Sequence, residues 1–238
     1  PLAAFAVLPA AMMLIVWFTR RYAPYTAGSG IPQVLAMLSM PKVKGGNRLV
    51  ALGRTVWKIP LTFLGMLAGA SIGREGPSVQ VGAAVMLAWG SWCKRYNLAF
   101  KRLQDKELLA AGAAGGLAAA FNAPLAGVIF AIEELGRSVS LHWERQIFIG
   151  VLASGFFLVA IEGNSTYFHG FHAGQPAEHM LRWALLCAVV CGVAGGLFAR
   201  FLSKGATWLA LPQWRNWMRR HPIWLAGVFG LMLAALGV

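Results

Sequence analysis

Long apolar stretches, broken by glycine and proline at places where a membrane helix ought to continue, limit what this chain can become. They run Leu2 to Phe18, Leu49 to Ile72, Val79 to Trp92, Leu108 to Ile132, Ile147 to Ile161, Leu181 to Leu202 and Ile223 to Val238. Several approach the roughly 20 residues a helix needs to cross a hydrocarbon core, and others are shorter. Of the 238 residues 58% are hydrophobic and 12% charged, whereas a soluble domain carries about a quarter charged residues. The pattern predicts an all-α, multi-pass membrane protein. Pro1 and Val238 both stand at apolar runs, so each end reads as a cut through a membrane segment of a longer protein. Leu2 to Phe18 lacks the basic start of a secretory signal and is followed by Arg20 and Arg21, like a helix meeting the cytoplasm.

The formal charge of +13 falls in bursts between apolar segments rather than along a continuous stripe, which argues against nucleic acid as a partner. Arg20 and Arg21, Lys42 to Arg48, Lys94 to Lys106 and Arg200 to Arg220 are basic connections, while Glu162 to His179 holds no Lys or Arg. The positive-inside bias puts the first four in the cytoplasm and the last outside. Trp17, Trp92, Trp143, Trp183 and Trp208 cluster near segment ends, as an interfacial belt would, with ordinary core packing as the alternative. Three cysteines provide no disulfide framework, and Cys187 and Cys191, one helical turn apart, read as buried small residues rather than metal ligands. His169, His172 and His179 share the outer loop and read as solvated; Asn164-Ser165-Thr166 matches a glycosylation acceptor. No pairing of nucleophile and base stands out, so an enzyme is not expected.

Three breaks carry the functional reading. Gly28-Ser29-Gly30-Ile31-Pro32 precedes a short apolar piece ending at Met40-Pro41, with a proline where helices begin; a plain interfacial turn is the alternative there. Gly73-Arg74-Glu75-Gly76-Pro77 opens Val79 to Trp92, and Asn122-Ala123-Pro124 divides Leu108 to Ile132 into two pieces of about half a membrane each. Backbone that leaves the helix inside a bilayer is tolerated only where protein or a watery cavity receives its N–H and C=O groups. A half-helix starting there directs open N–H groups and about half a positive charge into the cavity, which suits an anion. The Ser29 hydroxyl adds a donor without adding charge. Glu75 follows thirteen uncharged residues, Leu61 to Gly73, so its carboxylate lies at membrane depth. Acids there mark ion or proton pathways, or else form a structural ion pair with the adjacent Arg74. Gly65, Gly69 and Gly73, Gly112 with Gly116, and Gly192 with Gly196 recur at four-residue spacing and suggest close helix packing. A phosphate loop is excluded because no Gly-Lys-Ser/Thr follows at the needed spacing.

Taken together, Gly28 to Pro32, Gly73 to Pro77 and Phe121-Asn122-Ala123-Pro124-Leu125-Ala126-Gly127 with Glu133-Glu134 resemble, in order, motifs of the CLC family of chloride channels and chloride/proton exchangers. The resemblance covers essentially the whole chain. It implies an inverted-repeat architecture with residues 1–180 as the first repeat and 181–238 as the start of an incomplete second. Ser29, with Gly30 and Ile31, would then hold a central chloride, and the amides around Arg74, Glu75 and Gly76 an outer one. Glu75 would be the gate, its ionised carboxylate sitting where an anion would sit and leaving on protonation. Glu134 is the implied inner proton glutamate, with Glu133 facing lipid headgroups or a partner subunit. Adjacent acids on a helix diverge by about 100°, so one faces the pathway. Lys58 adds electrostatic attraction at the cytoplasmic side or is a solvated loop-end lysine; both readings stand.

An acid at Glu134 points to an exchanger rather than a passive channel, the alternative within the family. Serine at position 29 points to chloride, since relatives with proline there prefer nitrate and the fluoride branch departs from both motifs. The resemblance further implies no cofactor, chloride and protons as the transported species, a homodimer, and a multi-pass position in a bacterial inner membrane. The family's second anion motif, Gly-x-Phe-x-Pro, and its inner tyrosine have no counterpart among these residues, none of the four tyrosines having that context.

Overall fold

The computed structural model describes residues 2–40, 48–96, 98, 103–135, 144–163, 179–208 and 212–237. Trp143, His169, His172, the Asn164 triplet, most of the outer loop and parts of the basic connections lie outside the described residues. Eleven α-helices occur among those described: α1 Leu2–Tyr22, α2 Ile31–Ser39, α3 Leu52–Thr55, α4 Lys58–Leu67, α5 Glu75–Arg95, α6 Asp105–Phe121, α7 Pro124–Phe130, α8 Glu144–Glu162, α9 Met180–Trp208, α10 Pro212–Arg220 and α11 Pro222–Gly237. A 3-10 turn, Pro24–Thr26, precedes α2, and a π-helical turn, Ala131–Leu135, continues α7. Among the described residues two helices, Ala3–Tyr22 and Met180–Ser203, are long and apolar enough to cross a membrane, with mean hydropathies of 1.7 and 2.1. α2 and α7, at 9 and 7 residues, reach only part of the way.

Two compact units divide the chain, residues 1–167 with 226–238 and residues 168–225. In the larger, α6 is the central element, with α5 and α8 packed against it. Its sequence explains the position: Gly112 and Gly116 leave no side chain towards α5, and a Cβ on either would collide with the carbonyls of Gly82 and Ser78. On the other side Gly150 of α8 lies against Ala111, and the Ser154 hydroxyl donates to the Gly115 carbonyl at 2.8 Å. Lipid tails give apolar helices no reason to associate, so contact over small residues must hold such a bundle together. Val34, Met37 and Leu38 of α2, Val79, Ala83 and Leu87 of α5, and Leu109, Ala113 and Leu117 of α6 form the core. α11 joins α1 in the same manner, Gly230 against Pro9 and Gly227 against Met13.

The apolar run Leu49 to Ile72 is not one span. It divides into α3 and α4, and α4 ends in a Schellman arrangement at Gly69, whose φ is 74°. The Ala70 amide reaches the Gly65 carbonyl at 3.0 Å and the Gly69 amide the Met66 carbonyl at 3.0 Å. Gly65, Gly69 and Gly73 are therefore no packing stripe: Gly69 turns the chain, Gly65 receives the Ile72 side chain, and Gly73 lies in the following loop. Gly192 and Gly196 on α9 have nothing within 4 Å of their Cβ positions.

The smaller unit is built on α9. Cys187 and Cys191 are exposed there, which corrects their expected burial; every neighbouring apolar side chain on this helix is exposed too, as on a helix facing lipid.

Candidate functional site

Where the first two breaks meet, glycine makes the contact possible. Gly28 and Gly30 take φ of 87° and 113°, which L side chains rarely adopt. They turn the chain abruptly into α2, with Pro32 in its first turn. Gly76, the second residue of α5, lies directly on this turn, and a Cβ there would collide with both the carbonyl and the hydroxyl of Ser29. A Cβ on Gly30 would stand 2.5 Å from the Gly76 carbonyl and 2.9 Å from the Gln80 Cβ. The first turns of α2 and α5 thus abut with no side chain between them.

In these helices the intrahelical ladder begins with Val34 N–H to the Gly30 carbonyl at 3.2 Å and Ser78 N–H to the Arg74 carbonyl at 3.0 Å. The amides of Ile31 and Gln33 on one side, and of Glu75 and Gly76 on the other, precede the ladder and have no acceptor within their own helix. Each helix start contributes about half a positive charge. Two such ends and the exposed Ser29 hydroxyl come together at one place.

Lys58 shows what holds the turn there. It is 3% exposed, which removes the reading of a solvated loop-end lysine. Its ammonium donates to the carbonyls of Thr26 at 3.2 Å and Gly28 at 2.8 Å and to Gln80 Oε1 at 2.7 Å. Gln80 is 0% exposed, and its amide nitrogen donates to the Leu49 carbonyl at 2.8 Å and the Tyr25 carbonyl at 3.4 Å. One buried cation and one buried amide therefore tie the loop before Ser29 to α5 and to the chain at Leu49. The cation stands one residue from Ser29 and adds to the positive field of the helix starts. Gln80 escaped the sequence reading; its signal is a lone carboxamide in the apolar run that follows Glu75.

Glu75 is the first residue of α5, half-buried, with its carboxylate folded back against Gly73. An acid in the first turn of a helix is favoured by the dipole. The Arg74 carbonyl accepts from the Ser78 hydroxyl at 2.8 Å. Glu133 and Glu134 stand together on the π-helical turn, both exposed. Their element follows the third break, where Asn122 takes the left-handed conformation, φ 50° and ψ 41°, and Pro124 starts α7. Gly127 of α7 lies against the Ala114 carbonyl and Ala118 of α6. Ser29, Gly30, Ile31, Lys58, Arg74, Glu75 and Gly76 are thus gathered around the α2–α5 junction, and the paired acids belong to a separate element that reaches it through α6.

Half-length helices whose starts converge on a hydroxyl and a carboxylate make an electropositive junction that suits an anion. The family described as "Voltage gated chloride channel" matches residues 11–238, and this chain belongs to it. It is 34% identical over 251 residues to the H(+)/Cl(-) exchange transporter ClcA of Vibrio parahaemolyticus serotype O3:K6, covering 98% of this chain and 49% of that protein. With ClcA of Yersinia pestis bv. Antiqua it shares 31% identity over 238 residues, covering 95% and 45%. The crystal structure of a slow cyanobacterial Cl-/H+ antiporter superposes with a TM-score of 0.72 at 26% identity, covering 99% of this chain and 52% of that one. The chain spans about half the length of the curated relatives it matches.

Proposed function

We propose that the protein carrying this chain exchanges chloride for protons across a bacterial inner membrane, as a homodimer whose subunits each hold a pathway. The observation that supports this best is the seating of Ser29 on Gly76. It puts a hydroxyl, two helix starts and the buried Lys58 charge beside the first residue of α5, which is Glu75. A chloride at Ser29 would accept from that hydroxyl and from open amides, donors strong enough to replace part of its hydration and weak enough to release it. Glu75, ionised, would compete for the same positive field and, once protonated, would give way. One proton is thereby set against anion occupancy. Glu134, with Glu133 beside it, would deliver that proton from the cytoplasmic side. In this reading residues 1–180 are the first repeat and 181–238 begin the second, with inverted halves of the kind transporters use.

Reconstituted in liposomes, the full-length protein should take up protons when a chloride gradient is imposed. The Glu75→Gln variant should conduct chloride without proton movement. Chloride flux with no proton movement in the unaltered protein would identify a passive channel, and intact coupling in E75Q would remove the gate from Glu75.

A further inference from the structure

A second concentration of positive charge lies next to the α2–α5 junction, where the Pro24–Thr26 turn stands between the end of α1 and α3. Arg21, Arg48 and Arg54 line one open cavity of about 330 Å³ together with Tyr22 and Tyr25. No acidic residue is among its described lining residues. Two of the guanidiniums lie over aromatic rings, Arg21 at 5.8 Å from the Tyr22 centroid and Arg54 at 5.3 Å from that of Tyr25. Arg48 donates from Nη1 to the Tyr25 hydroxyl oxygen at 3.3 Å, which leaves that hydroxyl's own proton to donate. This hydrogen bond, and after it the charges of Arg48 and Arg54, hold the Tyr25 phenol below its ordinary value. All three arginines are exposed, yet they line one space rather than diverging, and two of them lie over rings.

We infer that this cavity binds a phosphoryl group, through the planar donor forks of Arg21, Arg48 and Arg54 and the hydroxyl of Tyr25. A tetrahedral oxyanion offers several oxygens at the spacing that guanidinium forks match in pairs, and chloride, a single sphere, does not. By the positive-inside bias Arg20, Arg21 and Arg48 belong to cytoplasmic connections, where the phosphate of an anionic lipid headgroup and free phosphate are both present.

Isothermal titration calorimetry on the full-length protein in neutral detergent tests this, with inorganic phosphate and short-chain phosphatidic acid as separate probes. The R21Q/R48Q/R54Q variant should bind about tenfold more weakly or worse, while R95Q/R219Q/R220Q, of equal charge change elsewhere, stays within about twofold. The single variant R48Q guards against a fold lost to three substitutions and should weaken binding by about threefold or more. R21K/R48K/R54K keeps the charge and loses the forks, and should also bind several-fold more weakly. Binding of both probes assigns the site to phosphoryl groups in general, and binding of the lipid alone assigns it to headgroups. No binding of either probe, or equal affinity in the wild type and the glutamine and lysine variants, overturns the inference.

Discussion

Lys58 and Gln80 illustrate how single polar side chains govern this molecule. A buried ammonium surrounded by lipid-facing helices would be untenable without acceptors, and three are supplied, two carbonyls and one carboxamide. Each partner satisfies the other, so removing one leaves an orphan. Lys58→Met should lower stability by about 2–4 kcal/mol, because buried acceptors left unsatisfied cost about 1–3 kcal/mol apiece. Gln80→Leu should do comparable damage by leaving one donor of the ammonium and the Leu49 carbonyl without a partner. The double variant should recover about 1–3 kcal/mol of the summed loss, as coupled pairs do. Denaturation monitored by intrinsic fluorescence in detergent measures the cycle, and strict additivity would mean that the two do not act as a unit. The Glu75 carboxylate is in a different situation. It leans on the glycine two residues before it at a helix start, an arrangement that it can leave by rotating its own side chain.

At the level of elements, the site depends on how closely α2 and α5 approach. Gly30 and Gly76 meet backbone to backbone, and neither position has room for a methyl group. Gly76→Ala should push Ser29 away from α5 and cost about 1–3 kcal/mol, the usual penalty for overpacking. Chloride flux in liposomes should fall with it, since hydroxyl and helix starts would no longer share one place. Gly53→Ala, on α3 with nothing within 4 Å of its Cβ, is the control. It should leave flux unchanged and stabilise by about 0.5–1 kcal/mol through lost chain entropy. Equal flux in G76A and the wild type would separate the α2–α5 contact from transport. The same architecture explains why α2 and α7 are short. A helix that ends inside the bilayer must have its terminus received by protein, and Gly76 receives α2 while α6 flanks α7.

For the molecule as a whole, the distribution of charge sets its position in the membrane. Lys106 stands in the first turn of α6 at the end of a basic connection, and Gly163 lies in the stretch Glu162 to His179, which holds no Lys or Arg. With Cys93, Cys187 and Cys191 replaced by serine, K106C should react with a membrane-impermeant maleimide only after cells are permeabilised. G163C should react without permeabilisation of the membrane that holds the protein. The reverse pattern would invert the topology and place the paired acids on the outer side. The phosphoryl cavity would move with it, since Arg21 and Arg48 share the orientation of Lys106.

Much of this was legible in the residues alone. The all-helical character, the three breaks and the family followed from apolar runs and from glycine and proline, because those residues act on their own backbone: Gly28, Gly30 and Asn122 take positive φ, and Pro32, Pro77 and Pro124 lie in the first turns of helices. Contacts across the chain were not legible. The division of Leu49 to Ile72, the burial of Lys58, the part played by Gln80 and the exposure of Cys187 and Cys191 each depend on what stands opposite in space. Lys58 reads equally as an electrostatic attractor or a solvated lysine until the carbonyls of Thr26 and Gly28, some thirty positions away, close around it. Local sequence thus determined where the chain turns, since torsional preference belongs to the single residue. Tertiary structure alone decided which turns meet, since a buried charge or a backbone contact exists only where distant segments supply partner and space.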